Sequence, residues 1–523
     1  MKLKYFNNKK LPKLAWCAIS KRNSKEIKVH HGNGVETHEN FFVEGAWDGV
    51  FCSAGFCDST FFMGSGAIVL KSGGGALFAT PTHTFERLYS ISDDGMIYIS
   101  NSLPFILYIS GLELDPKYMN YEVDFNSILK GIKKYTRTLP LNKDKNIQLH
   151  YYCNLLLNKG RLTEIPKSKI APFKNYKDYE NRLLKTLQRL VNNADSPWRK
   201  SVRYGLVTTI SKGYDAAACA AIAFEVGCKK AVSFNMPQKY ANDCGDDIAK
   251  KLGYEIIVTK NANSYLNNVS FVEAEFVSSG ELGTGIVFAA FENEFENSVV
   301  FIGTRGDKLW DKNWTDYNKE FRFDREIFSD TSKVENRLKA GYIMLPLPLF
   351  GAKQWPSIFE INNSDEMRPY SVGGNYDRPI PRRILETRGI ERKMFGQTKK
   401  GAGFNYRFDN FNRISKRMSK KSFNSFRKFY LENRRSGLNV IFPWLRFLWH
   451  TKSLYISYFL KKIGIPMKSK TLTADAFPNP GAPSYLFNWG VSKMIRRYEK
   501  ADIEKHWLEK DHSGLTTGEQ IDG

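Results

Sequence analysis

Apolar positions change their period twice along this chain. Up to about residue 165 they come in short runs: Gly64–Leu70, Ala76–Ala79, Leu88–Ile91 and Met96–Ser100, with turn signals at Gly73-Gly74-Gly75 and Asp93-Asp94-Gly95. Short β-branched or alternating runs between glycine-rich turns predict strands. Helix-like stretches follow at Pro104–Ser110 and near Tyr121–Lys134. From Lys177 to Asn193 the spacing becomes helical, and beyond it strands and helices alternate. Leu206–Ile210, Lys230–Phe234, Glu255–Val258 and Val299–Ile302 read as strands. Ala216–Val226 and Asp243–Leu252 read as the helices between them. Strand–helix alternation predicts a parallel sheet covered on both faces, with ligands taken up beyond the carboxyl ends of its strands.

Two loops fall at such ends. The first is Ser211-Lys212-Gly213-Tyr214-Asp215 and the second Gly303-Thr304-Arg305-Gly306-Asp307. A loop that opens into a helix N-terminus offers backbone N–H groups and a positive dipole end to an anion. Ser211 adds a hydroxyl, Lys212 a cation, and Gly213 permits close backbone approach. Asp215 has two readings, a helix cap or a ligand for a phosphate-bridging metal. No Gly-x4-Gly-Lys-Ser/Thr motif stands here, so the loop is not a Walker loop. An ordinary strand-to-helix turn remains the plain alternative.

Composition narrows the setting. The 523 residues call for two to four domains, and 42% apolar residues provide enough core. Lys and Arg number 78 against 54 Asp and Glu, a formal charge of +24. That excess favours anionic surroundings without choosing among nucleotide, nucleic acid and membrane surface. The seven cysteines are scattered and form no C-x-x-C pair, which suits a reducing cytoplasm. No signal peptide and no apolar run of spanning length are expected. His30, His31 and His38, near Glu36 and Glu39, match no metal-ligand spacing and read as a surface loop, with metal binding the minor alternative.

The two loops and several later segments resemble class B asparagine synthetase and its relatives. Ser211, Gly213 and Asp215 match the Ser-Gly-Gly-x-Asp-Ser pyrophosphate loop of the N-type ATP pyrophosphatases, with Lys212 and Ala216 as departures. Asn242–Gly253 is similar to the acidic helix after the second strand. Phe301–Trp310 resembles the Thr-Gly-x-Gly-Gly-Asp-Glu segment, with Gly306 and Asp307 matching and Lys308 in place of glutamate. Arg378–Arg383 and Phe395–Gly401 resemble an arginine-rich helix and a late Lys-Lys-Gly-Phe element. Phe78–Gly111 is similar to the glutaminase segment, with Thr80-Pro81-Thr82 and Ser100-Asn101-Ser102 at its two key turns.

The resemblance implies an α/β protein in three parts. Residues 1–165 would be an Ntn-hydrolase-like αββα domain, and residues 175–402 a parallel-sheet adenine nucleotide α-hydrolase-like (PP-loop) domain. Residues 403–523 would be a basic, aromatic extension. It implies ATP-dependent, AMP-forming amide-bond synthesis on a carboxylate. ATP and Mg2+ would be held by Ser211, Lys212, Gly213, Asp215 and Gly306, with Asp215 and Asp307 on the metal, and Lys399 and Lys400 would serve acyl transfer. The family's glutaminase needs a cysteine directly after the initiator methionine as its nucleophile. This chain reads Met1-Lys2-Leu3 there, with Cys17 and Cys52 the nearby thiols. Ammonia or another amine is therefore the expected donor. Three departures in the synthetase motifs favour a second outcome, a catalytically silent nucleotide-binding or scaffold protein.

Residues 401–470 carry sixteen Lys and Arg against Asp409 and Glu432. Within them Ile441–Lys462 mixes large aromatics with cations, which fits either a helix buried against the second domain or a peripheral contact with an anionic membrane. No nucleic-acid module is recognisable. The expected location is the cytoplasm, extending to the inner face of the membrane, with a small carboxylate and an amine as the partners.

Overall fold

The computed structural model describes residues 1–71, 74–118, 120–235, 243–267, 270–313, 333–374, 376–397, 406, 409–434, 459, 483–501 and 503. Its strands in chain order are β1 (Lys2–Asn7), β2 (Trp16–Lys21), β3 (Glu26–His31), β4 (Glu36–Thr37), β5 (Phe41–Trp47), β6 (Phe62–Val69), β7 (Ala76–Ala79), β8 (Leu88–Asp93) and β9 (Met96–Ser100). They continue with β10 (Thr138–Pro140), β11 (Asn146–His150), β12 (Cys153–Asn158), β13 (Arg161–Pro166), β14 (Gly205–Thr209), β15 (Lys230–Asn235), β16 (Ile256–Asn261), β17 (Ser298–Ile302) and β18 (Ile343–Pro346).

The first thirteen strands make two sheets, ordered β1-β3-β2-β9-β8-β11-β10 and β13-β12-β7-β6-β5-β4. All pairs are antiparallel except β1 with β3. Alternation along β2 explains the layering, because successive side chains leave a strand on opposite faces. Trp16 and Ala18 enter the space between the sheets, where they meet Phe42, Ala67, Phe78, Leu155 and Leu157. Cys17 and Ile19 face outward onto the helix Leu103–Ser110. On the other side, Ala46 and Met63 lie under the helix Tyr176–Ala194, whose Leu183, Leu187 and Leu190 repeat at helical spacing. The order of layers is helix, sheet, sheet, helix.

The remaining strands form one parallel sheet, ordered β16-β15-β14-β17-β18. The α/β class expected from the alternation is the class observed. The helix Tyr214–Glu225 begins two residues earlier than its alanine run, so Asp215 stands in its first turn. The stretch near Tyr121–Lys134 is a short helix, Tyr121–Phe125, and a single-turn extension rather than one long helix. Among the described residues no helix is long and apolar enough to cross a membrane.

Expectation and structure part company at the histidines. His30 and His31 are buried in β3 rather than lying in a surface loop. Each of the three rings packs on its own aromatic partner: His30 on Phe6, His31 on Tyr5 and His38 on Phe41. Burial pushes His30 down to about 4, so it stays neutral. Glu36 is buried too. Its carboxylate accepts the backbone N–H groups of Lys200, Ser201 and Val202 at 2.9–3.1 Å, tying the connection before β14 to the first sheets. Cys17 is fully buried and its thiol is pushed far up by burial, so it is no nucleophile, whereas Cys52 is exposed.

A buried ionic network joins the two halves. Arg337, on the helix Val334–Ala340, grips Glu44 of β5 with two N–H groups at 2.8 and 3.1 Å and Glu86 at 2.7 Å. Ser65 and Asn101 complete the shell of Glu44. Two residues before Arg337, Glu335 accepts from Ser102 at 2.8 Å and Tyr498 at 3.2 Å. Ser102 also caps the helix Leu103–Ser110, and Tyr498 lies on the helix Pro483–Glu499. Three distant parts of the chain therefore meet at one turn of helix.

Burial raises the Glu335 carboxyl to about 7, against the opposing pull of Ser102 and Arg497. A carboxyl raised on folding contributes stability that is complete below its ordinary value of 4.5 and is lost as pH climbs towards 7. Glu335→Gln keeps the shape and removes the titration. Urea unfolding should show the variant gaining on the parent between pH 4.5 and pH 7.5, by ~3 kcal/mol at most. A constant difference across that range would refute the linkage. Arg337→Met should cost about 3–5 kcal/mol by stranding two carboxylates.

Candidate functional site

In the parallel sheet β14 leads, β15 and β16 are added on one side of it, and β17 and β18 on the other. The connections therefore diverge between β14 and β17, leaving a crevice beyond their carboxyl ends. Thr208 pairs with Phe301, so the two strands end side by side. Both candidate loops spring from these ends, 211–215 from β14 and 303–307 from β17.

The loops interlock. A side chain at Gly303 would place its Cβ 2.6 Å from the Asp215 carbonyl carbon and 2.7 Å from the Ala216 nitrogen. One at Gly306 would meet the Asp215 carboxylate at 2.6 Å. Two glycines thus let the second loop lie directly on the first helical turn, with Asp215 between them. Gly306 and Asp307 open the short helix Gly306–Leu309, after Arg305 in a left-handed conformation (φ 74°).

The first loop is fixed from both flanks. Ser211 bridges to Cys244 in the chain before the helix Asp246–Leu252, and Lys212 N–H donates to the Asp243 carbonyl at 3.1 Å. The Lys212 carbonyl accepts from Gly396 N–H at 2.8 Å. Ser211 Oγ accepts from Gly213 N–H at 3.2 Å. Gly213 is the N-cap of Tyr214–Glu225 and gives that helix no side-chain cap. The Lys212 ammonium leans to Asp247, 3.6 Å away, at the start of the neighbouring helix.

Three residues frame the crevice from the chain that precedes and forms the helix Pro379–Glu386. Tyr376 packs on Tyr214 with ring centroids 4.9 Å apart, and Arg378 lies over the Tyr376 ring at 4.7 Å. Arg378 donates to the Asp307 carbonyl at 2.9 Å and pairs with Asp311 at 3.4 Å. Its Nε and Nη1 are buried with no hydrogen-bond partner among the described residues. Arg382, one turn on, lies over Tyr214, donates to its hydroxyl and leaves Nε unpartnered. Burial raises the Tyr376 hydroxyl, and Asp215, Asp243 and Asp307 raise it further against Arg378. Two arginines thus lie on one aromatic pair, Arg378 on Tyr376 and Arg382 on Tyr214.

The chemistry of such a site is clear in outline. Buried guanidinium N–H groups without partners call for an anion. Asp215 and Asp307, on the two interlocked loops, offer the oxygen donors that a hard divalent cation takes, with phosphate and water completing its shell. Ser211, Lys212, Gly213, Asp215, Gly306 and Asp307 are brought together here. Lys399 and Lys400 lie outside the described residues, as do nearly all of Ile441–Lys462. The chain nears the loop just before those lysines: Gly396 rests on the Tyr214 ring, where a Cβ would come within 2.4 Å. The sequence pattern gave no separate role to Tyr376, Arg378 or Arg382. Their signal was the i, i+4 spacing of Arg378, at the N-cap, and Arg382, within the proline-started helix that follows.

In the first region, the segments that resemble the glutaminase turns are committed to internal bonds. Thr80 Oγ1 donates to the Cys153 carbonyl, Thr82 Oγ1 accepts from Phe62 N–H, and Asn101 binds the Leu14 carbonyl.

No protein-family model matches this chain, and no curated protein matches it. Among solved structures, one described as a predicted subunit of tRNA methyltransferase from Methanocaldococcus jannaschii is similar over 36% of this chain and 91% of its own. The identity is 16% and the TM-score 0.18, a likeness too slight to bear on function.

Gly303→Ala should force the two loops apart, because the clash is with backbone and no rotamer relieves it. A loss of about 1–3 kcal/mol in urea unfolding is expected, with Gly373→Ala, where added atoms meet open space but φ is positive, as the comparison for strain alone. Equal losses would show that the loops do not press on each other.

Proposed function

We propose that the crevice between β14 and β17 binds the phosphates of ATP, and that the protein uses them to activate a carboxylate as an acyl-adenylate for amide formation. The observation that carries this reading is the pair of interlocked loops at the divergence point, faced by two buried arginines with unused N–H groups. The likeness to class B asparagine synthetase supports it through Ser211, Gly213, Asp215, Gly306 and Asp307.

In this reading the first turn of Tyr214–Glu225 and Ser211 cradle the pyrophosphate, and Arg378 and Arg382 neutralise charge that grows as it departs. Asp215 and Asp307 hold Mg2+, which would polarise the phosphate oxygens. Tyr376, whose hydroxyl is held protonated, donates a hydrogen bond rather than acting as a base. Lys399 and Lys400 are proposed for the transfer of the acyl group to an amine. Ammonia or another amine serves as donor in this reading.

A silent, nucleotide-binding protein is the second reading. It is favoured by the Lys212 ammonium turned to Asp247 and by Ala216, which lacks the hydroxyl of the resembling loops.

Incubation with ATP, Mg2+ and a panel of carboxylates should release pyrophosphate and AMP. Asp215→Asn should lower that release by roughly 10²–10³-fold while circular dichroism is unchanged. ATP binding in calorimetry without release across the panel supports the silent reading. No ATP binding at all sinks both.

A further inference from the structure

Away from the crevice, three unlike side chains meet at the open edge of the two-sheet sandwich. His150 ends β11 in one sheet, while Cys153 begins β12 and Glu164 lies on β13 in the other. Strand register explains the meeting. Cys153 pairs with Pro166 and Leu155 with Glu164, so Cys153 and Glu164 are diagonal neighbours on one face. His150 reaches them from across the corner, only three residues before Cys153. Ligand atoms of all three lie within 4.8 Å of one another.

We propose that His150 Nδ1, Cys153 Sγ and Glu164 Oε1 bind one borderline-soft divalent cation of the zinc class. Imidazole, thiolate and carboxylate are the three donor types such an ion takes, and three protein donors leave a fourth position for water. Ligand atoms around tetrahedral zinc stand ~3.5 Å apart, so side-chain closure of about 1 Å completes the site. His150 Nδ1 and Glu164 Oε1 already share a proton at 2.8 Å, and the cation takes that proton's place. The outer shell is present. Ser90 Oγ lies 2.8 Å from His150 Nε2 and fixes the ring, and Arg137 holds the other carboxylate oxygen, Oε2, at 2.5 Å. Cys153 and His150 are buried, while the Glu164 side chain is one-third exposed and marks the way in.

Without the ion the thiol is protonated, since burial pushes Cys153 up to about 12. Binding deprotonates it: the thiol proton passes to solvent, while the ring proton of His150 moves from Nδ1 to Nε2, where Ser90 Oγ accepts it. Lys167 faces the same thiol, but burial lowers it to about 8, so its charge opposes the cation only in part.

The test uses the full chain, stripped with chelator and titrated with Co2+ as a spectroscopic probe. One Co2+ per chain should bind, with a thiolate charge-transfer band and the strong visible bands of tetrahedral cobalt, both displaced by Zn2+. Cys153→Ser should abolish the charge-transfer band, and Cys52→Ser, at an exposed cysteine, should keep it. Ser90→Ala should weaken binding about 10–100-fold. Circular dichroism checks that each variant is folded. Absence of the band in the parent chain, its survival in Cys153→Ser, or Co2+ binding indifferent to both Cys153 and Ser90 overturns the proposal.

Discussion

The architecture depends on one guanidinium. Arg337 is the shared counter-ion of two buried carboxylates that belong to different parts of the first region, Glu44 on β5 and Glu86 before β8. A buried ion pair adds little stability over a well-packed apolar contact, but breaking it strands charge in a medium that will not solvate it. The arrangement therefore acts mainly on geometry. It admits one docking of the helix Val334–Ala340, and that helix leads straight into β18 at the edge of the parallel sheet. The position of the sheet relative to the first two is set by this contact and by Glu36, whose carboxylate collects the backbone entering β14.

From that frame the crevice follows by topology. Because β14 is central and its neighbours are added on opposite sides, the connections diverge beyond the carboxyl ends of β14 and β17 and leave room there. Small residues fill the room closely: Gly303 and Gly306 on Asp215, Gly245 on Ile210 and Ser211, Gly396 on Tyr214. Polarity is then supplied from outside the sheet, by Tyr376, Arg378 and Arg382. The division of labour is between a strand–loop scaffold made precise by missing side chains and a later helix that brings the charge.

Much of this was legible in the residues. Runs such as Met96–Ser100 and Val299–Ile302 mark their strands because they alternate or are wholly apolar between turn signals. Asp215 and Asp307 could be paired because each follows a strand whose neighbour could be guessed. What was not legible depends on contacts made at long range. His30 and His31 look polar, and nothing local says that Phe6 and Tyr5 will cover them. Arg378 and Arg382 look like a solvated face until Tyr376 and Tyr214 enclose them. The His150–Cys153–Glu164 corner needs the pairing of β12 with β13 before its members become neighbours.

The helix Pro483–Glu499 rests on the first region, with Tyr498 stacked on Phe105 at 4.6 Å and Phe487 against Phe125. On the ribosome those partners emerge nearly four hundred residues apart. At 5–20 residues per second the interval is roughly 20–80 s. For that time the outer face of the first sheet waits without its last cover, sticky and open to rescue factors or to misassembly. Truncation near the far end would thus injure the part of the molecule that was made first.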